Sequence, residues 1–453
     1  MSESFAEAIA ACVEGGPESL TRFAETLAPE WIEEALNATG TASIRRRKLP
    51  AEQVVWLVLG MCLMMDRSIV DVCEQLSLTL PKVKSLAPSA VPGARYRLGA
   101  APLSWLFWRL AKAYAHESPD NDLGLKLYAV DGTHMRVPDS DANYEAFGKP
   151  SSRNGEDDAG YPQVRLVALL NVETRLVAGA AFGPYNTGER PLARQLWSHV
   201  ENRSLTILDR GFVEYASFVD IVNGGEDRHV LVRLTKNMRF EETEVLKDGS
   251  RLGFLTPCPK AKKSRPDLPV RLTARVVHYQ HAGGEPSRVL TTILDPDRVS
   301  AEELVRLYHD RWEIEIAFDE LKTHLMGRRE ALRSVKPEGV EQEVWGLLLL
   351  YNLVRQEMKQ VAEQHEVPAR RVSFVTSLHL IRGFWLTAAQ TKSPGTIPQR
   401  LQDFRSTLGT LLLPERRSER RHPRHVKIKM SNYPRNRGKR GGKGSAKPAN
   451  QTK

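Results

Sequence analysis

Apolar positions in the first quarter of the chain recur at helical spacing. Residues 5–37 and 51–117 carry them three and four apart, as in Leu57, Met61, Met64 and Met65 and later Leu103, Leu106 and Leu110. The pattern predicts an α-helical N-terminal region. Its most apolar run, Val54–Met65, is closed by Asp66 and Arg67. It is shorter than the roughly 20 residues a bilayer-spanning helix needs, so it reads as a buried helix.

After Pro119 the character of the pattern changes. LKLYAVDGTHMRV, YPQVRLVALLNVETRLVAGAAFG, SLTILDRG and HVLVRLTKN are Val/Leu-rich runs bounded by Gly, Asn and Asp, which predicts four or five strands. The second and third strands form a hairpin turning near Asn171–Thr174. ERPLARQLWSHV and VEYASFVDIVNGG flank SLTILDRG with helical patterning, so the expected architecture is α/β, a mixed sheet covered by helices. From about Phe240 to Pro296 polar and apolar residues alternate between Gly/Pro-rich breaks, which predicts a β-rich insertion. Helical patterning resumes at Ser300, runs through Leu325, and returns over 341–364 and 368–388. No repeat of solenoid period is present.

At 453 residues the chain is expected to divide into two or three domains. Hydrophobic residues at 41% and charged residues at 26% match a globular protein rather than a disordered or fibrous one. Glu3 and Glu7 stand where a secretory signal would carry basic residues, so a cytoplasmic location is expected. Cys12, Cys62, Cys73 and Cys258 are scattered, without CxxC or zinc-ligand spacing, and read as reduced bystanders. The net charge of +10 is concentrated in a tail: residues 415–453 hold 14 Lys/Arg against 2 Asp/Glu. Such a tail suits a polyanion, nucleic acid above all, with a solvated end of no role as the plainer alternative. Arg45, Arg46, Arg47 and Lys48, and then Arg95, Arg97 and Arg109 around a Gly-punctuated turn, stand where helical hairpins meet phosphates. Basic faces of helical hairpins are, however, usually just solvated.

Chemistry enters with three acids. Asp131 stands where the strand LKLYAV runs out into DGT, and Asp209 where LTIL runs out into DRG. A carboxylate on a strand end is held rigidly while its side chain faces a cleft, as a Mg²⁺ site with few, hard oxygen ligands requires. The third acid is Glu315, in YHDRWEIEIAFDELK. Tyr308, Arg311, Glu315 and Lys322 lie at offsets of 3, 7 and 14, which fall in one stripe of a continuous helix. Glu315 can ligate metal, Arg311 can clamp a phosphate bidentately, Lys322 can hold another as a point charge, and Tyr308 can donate to a phosphate oxygen. Each piece has a plainer alternative. Arg311 and Glu315 also make an ordinary i,i+4 ion pair, Tyr308 suits a core, and strand-end Asp residues often only form turns. Glu313, Asp319 and Glu320 compete with Glu315 but lie off the stripe or, for Asp319, one turn beyond it.

DGT, DRGF and the YHDRWEIEIAFDELK helix together resemble the DDE transposases of bacterial insertion sequences of the IS4 family. So do RRRKLPAEQVVWLVLGMCLMMDRSIVDVCEQL, ARYRLGAAPLSWLF and the tail segment RRHPRHVKIK, so the resemblance spans nearly the whole chain. It implies an RNase H-like core interrupted by a β-rich insertion, with Asp131, Asp209 and Glu315 as catalytic metal ligands. Two Mg²⁺ ions, replaceable by Mn²⁺, would serve cleavage at terminal inverted repeats of double-stranded DNA and strand transfer into target DNA. It also implies a hairpin on the element end, a homodimer on paired ends with helices around 341–388 pairing the protomers, and a place near the bacterial nucleoid. A strand ending in Arg after the second Asp matches Arg233, with Lys236 beside it, and both are assigned to DNA. Trp312, next to Arg311, suits stacking on a base or packing in the core.

The expected division is 1–119 helical and DNA-binding, 120–239 core, 240–299 insertion, 300–365 core again, 366–412 helical, and 413–453 basic tail. Two rivals stay open: a non-catalytic DNA-binding regulator derived from a transposase, and a metal-dependent nuclease that never joins strands.

Overall fold

The computed structural model describes residues 27–42, 49–78, 87, 89–116, 121–150, 160–235, 238–280, 286–327, 329, 331–390 and 397–414. Arg45–Lys48, Cys12, Lys236 and the tail from 415 onward fall outside them. Among the described residues five helices come first: α1 (Pro29–Ala38), α2 (Ala51–Leu63), α3 (Ile69–Gln75), α4 (Ala90–Leu98) and α5 (Ala101–Tyr114). The apolar run Val54–Leu63 is buried all round in α2, as its composition predicts. No helix among the described residues is long and apolar enough to cross a membrane.

Next come β1 (Lys126–Arg136), α6 (Asp141–Phe147), β2 (Gln163–Asn171), β3 (Val177–Pro184), α7 (Glu189–Arg194), β4 (Ser204–Leu208), α8 (Tyr215–Asn223) and β5 (Arg228–Arg233). The insertion supplies β6 (Glu241–Val245), β7 (Arg251–Leu255), α9 (Pro259–Ser264), β8 (Leu272–Tyr279) and β9 (Ser287–Thr291). All nine strands share one sheet, in the order β3-β2-β1-β4-β5-β9-β8-β7-β6. β1–β4 and β4–β5 are parallel, and the other pairs antiparallel. The insertion thus lengthens the sheet instead of leaving it, ending on the exposed, charged edge strand EETEV, which discourages pairing with another chain.

The expected β2–β3 hairpin is present. Asn171 Oδ1 accepts from the N–H groups of Glu173 and Thr174, and Arg175 takes a left-handed φ of 59° to close the turn. Side chains then alternate across the sheet. Leu127 and Ala129 join a core formed with α2 and the long helix α12 (Pro337–Gln364), whereas Tyr128 and Val130 join a second core under α7 and α8.

Between β9 and α12 run α10 (Ala301–Asp310), α11 (Trp312–Asp319) and a π-helical turn (Glu320–Leu325); α13 (Phe374–Gln390) and α14 (Ile397–Thr410) follow α12. Residues 300–325 are therefore not the single helix that the periodicity predicts. The α-helical hydrogen bonding is interrupted at Arg311, which keeps helical φ and ψ, and Met326 N–H bonds to Leu321 O, five residues back, in the widened turn. Arg95 also differs from expectation. It is buried, donating to Gln342 Oε1 (2.5 Å), Ser334 Oγ and Gly339 O (both 2.6 Å) and pairing with Glu343, so it fastens α4 to α12 and faces no phosphate. Arg109 stacks over Trp31, its guanidinium carbon 4.5 Å from the ring centre. Most of α12 is encased within the chain.

Candidate active site

Register brings the first two acids together. β1 pairs with β4 in parallel from Lys126↔Ser204 to Val130↔Leu208, and β4 then ends. One step further, Asp131 and Asp209 stand side by side, on neighbouring chains about 5 Å apart. Asp131 shares strand parity with Leu127 and Ala129, and Asp209 with Leu205 and Ile207, so both face the core under α12. Asp209 ends its strand as expected and opens a 3-10 turn, Arg210–Phe212. Asp131 does not end β1, which continues five residues to Arg136, held by β2 alone. What ends at Asp131 is its parallel neighbour, and that opens the strand edge where the carboxylate lies.

The third acid arrives from above. Arg311, at the break between α10 and α11, lies 3.7 Å from Asp131 Oδ2 and 2.8 Å from Glu315 Oε1, bridging strand and helix. The i,i+4 pair with Glu315 is thus real, but it is not a surface ornament, since the Arg311 side chain is only 11% exposed. Asp209 acts electrostatically on Asp131, Arg311 and Tyr308. Among the described residues no three acid, His or Cys side chains close on a common metal position. As arranged, the Arg311 guanidinium stands between Asp131 and Glu315.

Electrostatics reflect the crowding. Burial pushes the Asp131 carboxyl up to about 6, with repulsion from Asp209 and Glu315 adding to it, against the Gly132 N–H bond (2.8 Å) and Arg311. Burial, then Asp209, pushes the Tyr308 phenol up to about 12, so it stays a neutral donor. Tyr308 is buried, as its core alternative predicts, yet lies within the field of Asp209. Lys322, on the π-helical turn, donates to Thr133 Oγ1 at 3.2 Å, which returns it to the strand that carries Asp131. Hard carboxylate oxygens on three elements, one of them raised by burial with repulsion from its neighbours added, are the donor type that a divalent cation takes.

The remaining predicted residues are peripheral to this cluster. Arg233 ends β5, donates to Ser287 Oγ at 2.8 Å, and acts electrostatically on Tyr308. Trp312 is 56% exposed, with the Arg311 guanidinium 5.9 Å from its ring centre, so it is not core.

Sequence reasoning missed what holds the helix in place. Glu313 and Glu320 are buried anchors: Arg175 from the β2–β3 turn bonds Glu313 at 2.5 Å and Glu320 at 2.8 Å, and Arg355 of α12 also pairs with Glu320. Tyr351 Oη adds a bond to Glu320 at 3.0 Å. The insertion is tied in similarly, for the fully buried Arg275 of β8 pairs with Asp248, which accepts from Ala301 N–H at the start of α10. Thr133, the partner of Lys322, was legible only as part of DGT.

Residues 17–108 match the N-terminal family of insertion element 4 transposases, and residues 122–353 the transposase DDE domain. The transposase InsG of insertion sequence element IS4, from Escherichia coli strain K12, is 36% identical over 418 residues, 92% of this chain and 93% of that protein. InsZ of the same strain is 34% identical over 234 residues, 51% of this chain and 76% of its own length. A solved piggyBac transposase synaptic complex with hairpin DNA aligns with TM-score 0.45 and 11% identity, over 90% of this chain and 87% of that one. The family matches and the near full-length InsG relative are decisive: the chain belongs to the IS4 family of DDE transposases, enzymes that cleave DNA ends and transfer strands.

Proposed function

We propose that this transposase works through Asp131, Asp209 and Glu315 as metal-holding carboxylates on an RNase H-like core, cutting at the terminal inverted repeats of its element. The observation that carries the reading is the β1–β4 register, which sets Asp131 beside Asp209 on the face that Glu315 approaches. The core order β3-β2-β1-β4-β5 supports the RNase H-like assignment. Two Mg²⁺ ions, or Mn²⁺ in their place, would be held by these three acids and would supply Lewis-acid charge for in-line displacement at phosphorus, first by water and then by the freed 3′-OH.

The chain's own groups do the rest. Arg311 neutralises Asp131 and Glu315 in the DNA-free chain and is poised to exchange them for a phosphate, which its planar fork clamps bidentately. Tyr308 keeps its proton and donates to a phosphate oxygen, and Lys322 holds a phosphate as a point charge. Arg233, Lys236 and Trp312 extend the DNA contact, with the N-terminal helical region 1–119 and the basic tail 413–453 binding the duplex. Division into core segments 120–239 and 300–365, insertion 240–299 and helical region 366–412 follows from the same reading. Two protomers, each on one element end, act together through surfaces other than the encased faces of α12.

The test uses purified protein and a duplex carrying the element's ends. Asp131→Ala, Asp209→Ala and Glu315→Ala should each abolish Mg²⁺-dependent cleavage while band-shift affinity stays within a few-fold. Intact cleavage in any one of them overturns the assignment of that residue.

A further inference from the structure

Beyond Val130 the strand β1 loses its parallel neighbour and is held by β2 alone, with Asp131 the first residue past that point. Gly132 comes next. It has no side chain to place on the face that Tyr128 and Val130 share, the face under α7 and α8. That place is filled from α7. A methyl group on Gly132 would stand 2.7 Å from both Cδ and Oε1 of Glu189 and 2.9 Å from its Cγ. Ordinary contact between such atoms is at about 3.5–4.0 Å. Gly132 does not have a left-handed φ, so the Glu189 side chain, and not the backbone, bars a larger residue there.

Glu189 is itself held in place. Its Oε1 lies 3.6 Å from Nη1 of Arg165, a β2 residue opposite His134, and the Arg165 guanidinium carbon lies 5.3 Å from the ring centre of Tyr185. The helix that carries Glu189 is seated by the buried Leu192 and Ala193. Two arginines then fasten it to the segment after Asp209. Arg190 Nε donates to Gly211 O at 2.8 Å, and Arg194 donates to both carboxylate oxygens of Glu214. One short helix therefore meets β1 one residue past Asp131 and the turn two residues past Asp209. Gly132 N–H donates to Asp131 Oδ1 at 2.8 Å, so a displacement of Gly132 passes to the carboxylate.

We propose that Glu189 is a positioning residue, which braces β1 through Gly132 where β4 no longer supports it and so keeps Asp131 in register with Asp209. The proposal rests on the reading of those two acids as metal-holding carboxylates. Glu189 lies on the face of β1 opposite the Asp131 side chain, so it acts by filling space behind the strand and not as a further ligand. Misplacing a reacting group by about 1 Å costs up to about a hundred-fold in rate, so a small sag of β1 is enough to be read in cleavage.

The experiment uses the full chain and a duplex carrying the element's ends. Glu189→Ala should cut about ten-fold more slowly in single turnover at saturating DNA, with band-shift affinity within about two-fold of wild type. In the DNA-free, metal-free chain its amides over 131–136 should exchange hydrogen about ten-fold faster, while those over 126–130, still paired with β4, exchange as in wild type. Glu189→Gln keeps the shape and should cut within about three-fold of wild type. Gly132→Ala evicts the Glu189 side chain, so it should match Glu189→Ala, and the double variant should be no slower than the slower single one. Cleavage by Glu189→Ala at the wild-type rate overturns the proposal, as does unchanged exchange over 131–136. Glu189→Gln as slow as Glu189→Ala would assign the role to charge, affinity falling in step with cleavage would assign it to DNA contact, and losses that multiply in the double variant would uncouple Glu189 from Gly132; each overturns the brace. Retained cleavage by Asp131→Ala would instead fail the active-site reading, while the exchange result would still stand.

Discussion

Arg175→Met tests what holds Glu315 over the strands. Arg175 lies at a left-handed turn, and Met has the same backbone cost there, so the change isolates the side chain. The guanidinium is 6% exposed and contacts two carboxylates, Glu313 and Glu320, each 8% exposed. Removing one partner from a buried pair costs about 3–5 kcal/mol, because the remaining charge keeps its desolvation penalty. An exposed pair would cost at most about 1 kcal/mol. Glu320 retains Arg355 and Tyr351 after the change, which limits its share of the loss. Urea unfolding followed by tryptophan fluorescence reads the difference. Arg175→Met with Glu313→Met, which returns an apolar pair to the site, should recover about 2 kcal/mol or more of the single-variant loss. In native conditions the single variant should cut end-bearing DNA more slowly with its DNA affinity unchanged, since α11 loses an anchor while the contact surface remains. A loss below about 1 kcal/mol, or a double variant no more stable than Arg175→Met, refutes the anchoring argument.

Two further outcomes follow from the site. Asp131 keeps its proton to about pH 6 in the folded, metal-free chain against 3.8 when unfolded, so the native state binds more protons between those values. Its contribution to stability is therefore greatest below pH 4 and falls by up to about 1.4 kcal/mol per pH unit until about pH 6. Subtracting the pH profile of Asp131→Asn should reveal that fall, and a flat or rising difference would contradict it. Trp312→Ala should leave stability within about 0.5 kcal/mol, as its exposed ring predicts, yet weaken DNA binding about ten-fold if it stacks on a base; unchanged affinity in a filter-binding titration removes Trp312 from the DNA surface.

The fold was legible wherever a local pattern decided it. Val/Leu-rich runs bounded by Gly, Asn and Asp marked β1 to β5, Asn171 marked the hairpin, and the apolar run after Val54 marked α2. Sheet membership was not legible, because the pairing of β5 with β9, which makes the insertion continuous with the core sheet, joins residues nearly sixty apart. Nor could the end of a strand be told from the end of its neighbour. DGT looks like a terminus because it is polar, but Thr133 and Met135 continue the buried parity of Leu127 and Ala129.

The acids on the third element show the same limit more sharply. A helical wheel separates Glu315 from Glu313 and Glu320 by angle, but an angle does not say which face meets solvent, core or DNA. The partners decide that, and they come from Arg175 and Arg355, far away in sequence. Once Glu313 and Glu320 are committed to buried guanidinium groups, Glu315 is left beside Arg311 at the open edge. The π-helical turn completes the logic. Widening the helix at Glu320 lets that carboxylate reach inward to Arg355 while Lys322, two residues on, meets Thr133 on β1. A regular α-helical wheel has no term for that local unwinding, so the predicted stripe was drawn on a helix that is not continuous, and the contact seen within it is the one between Arg311 and Glu315.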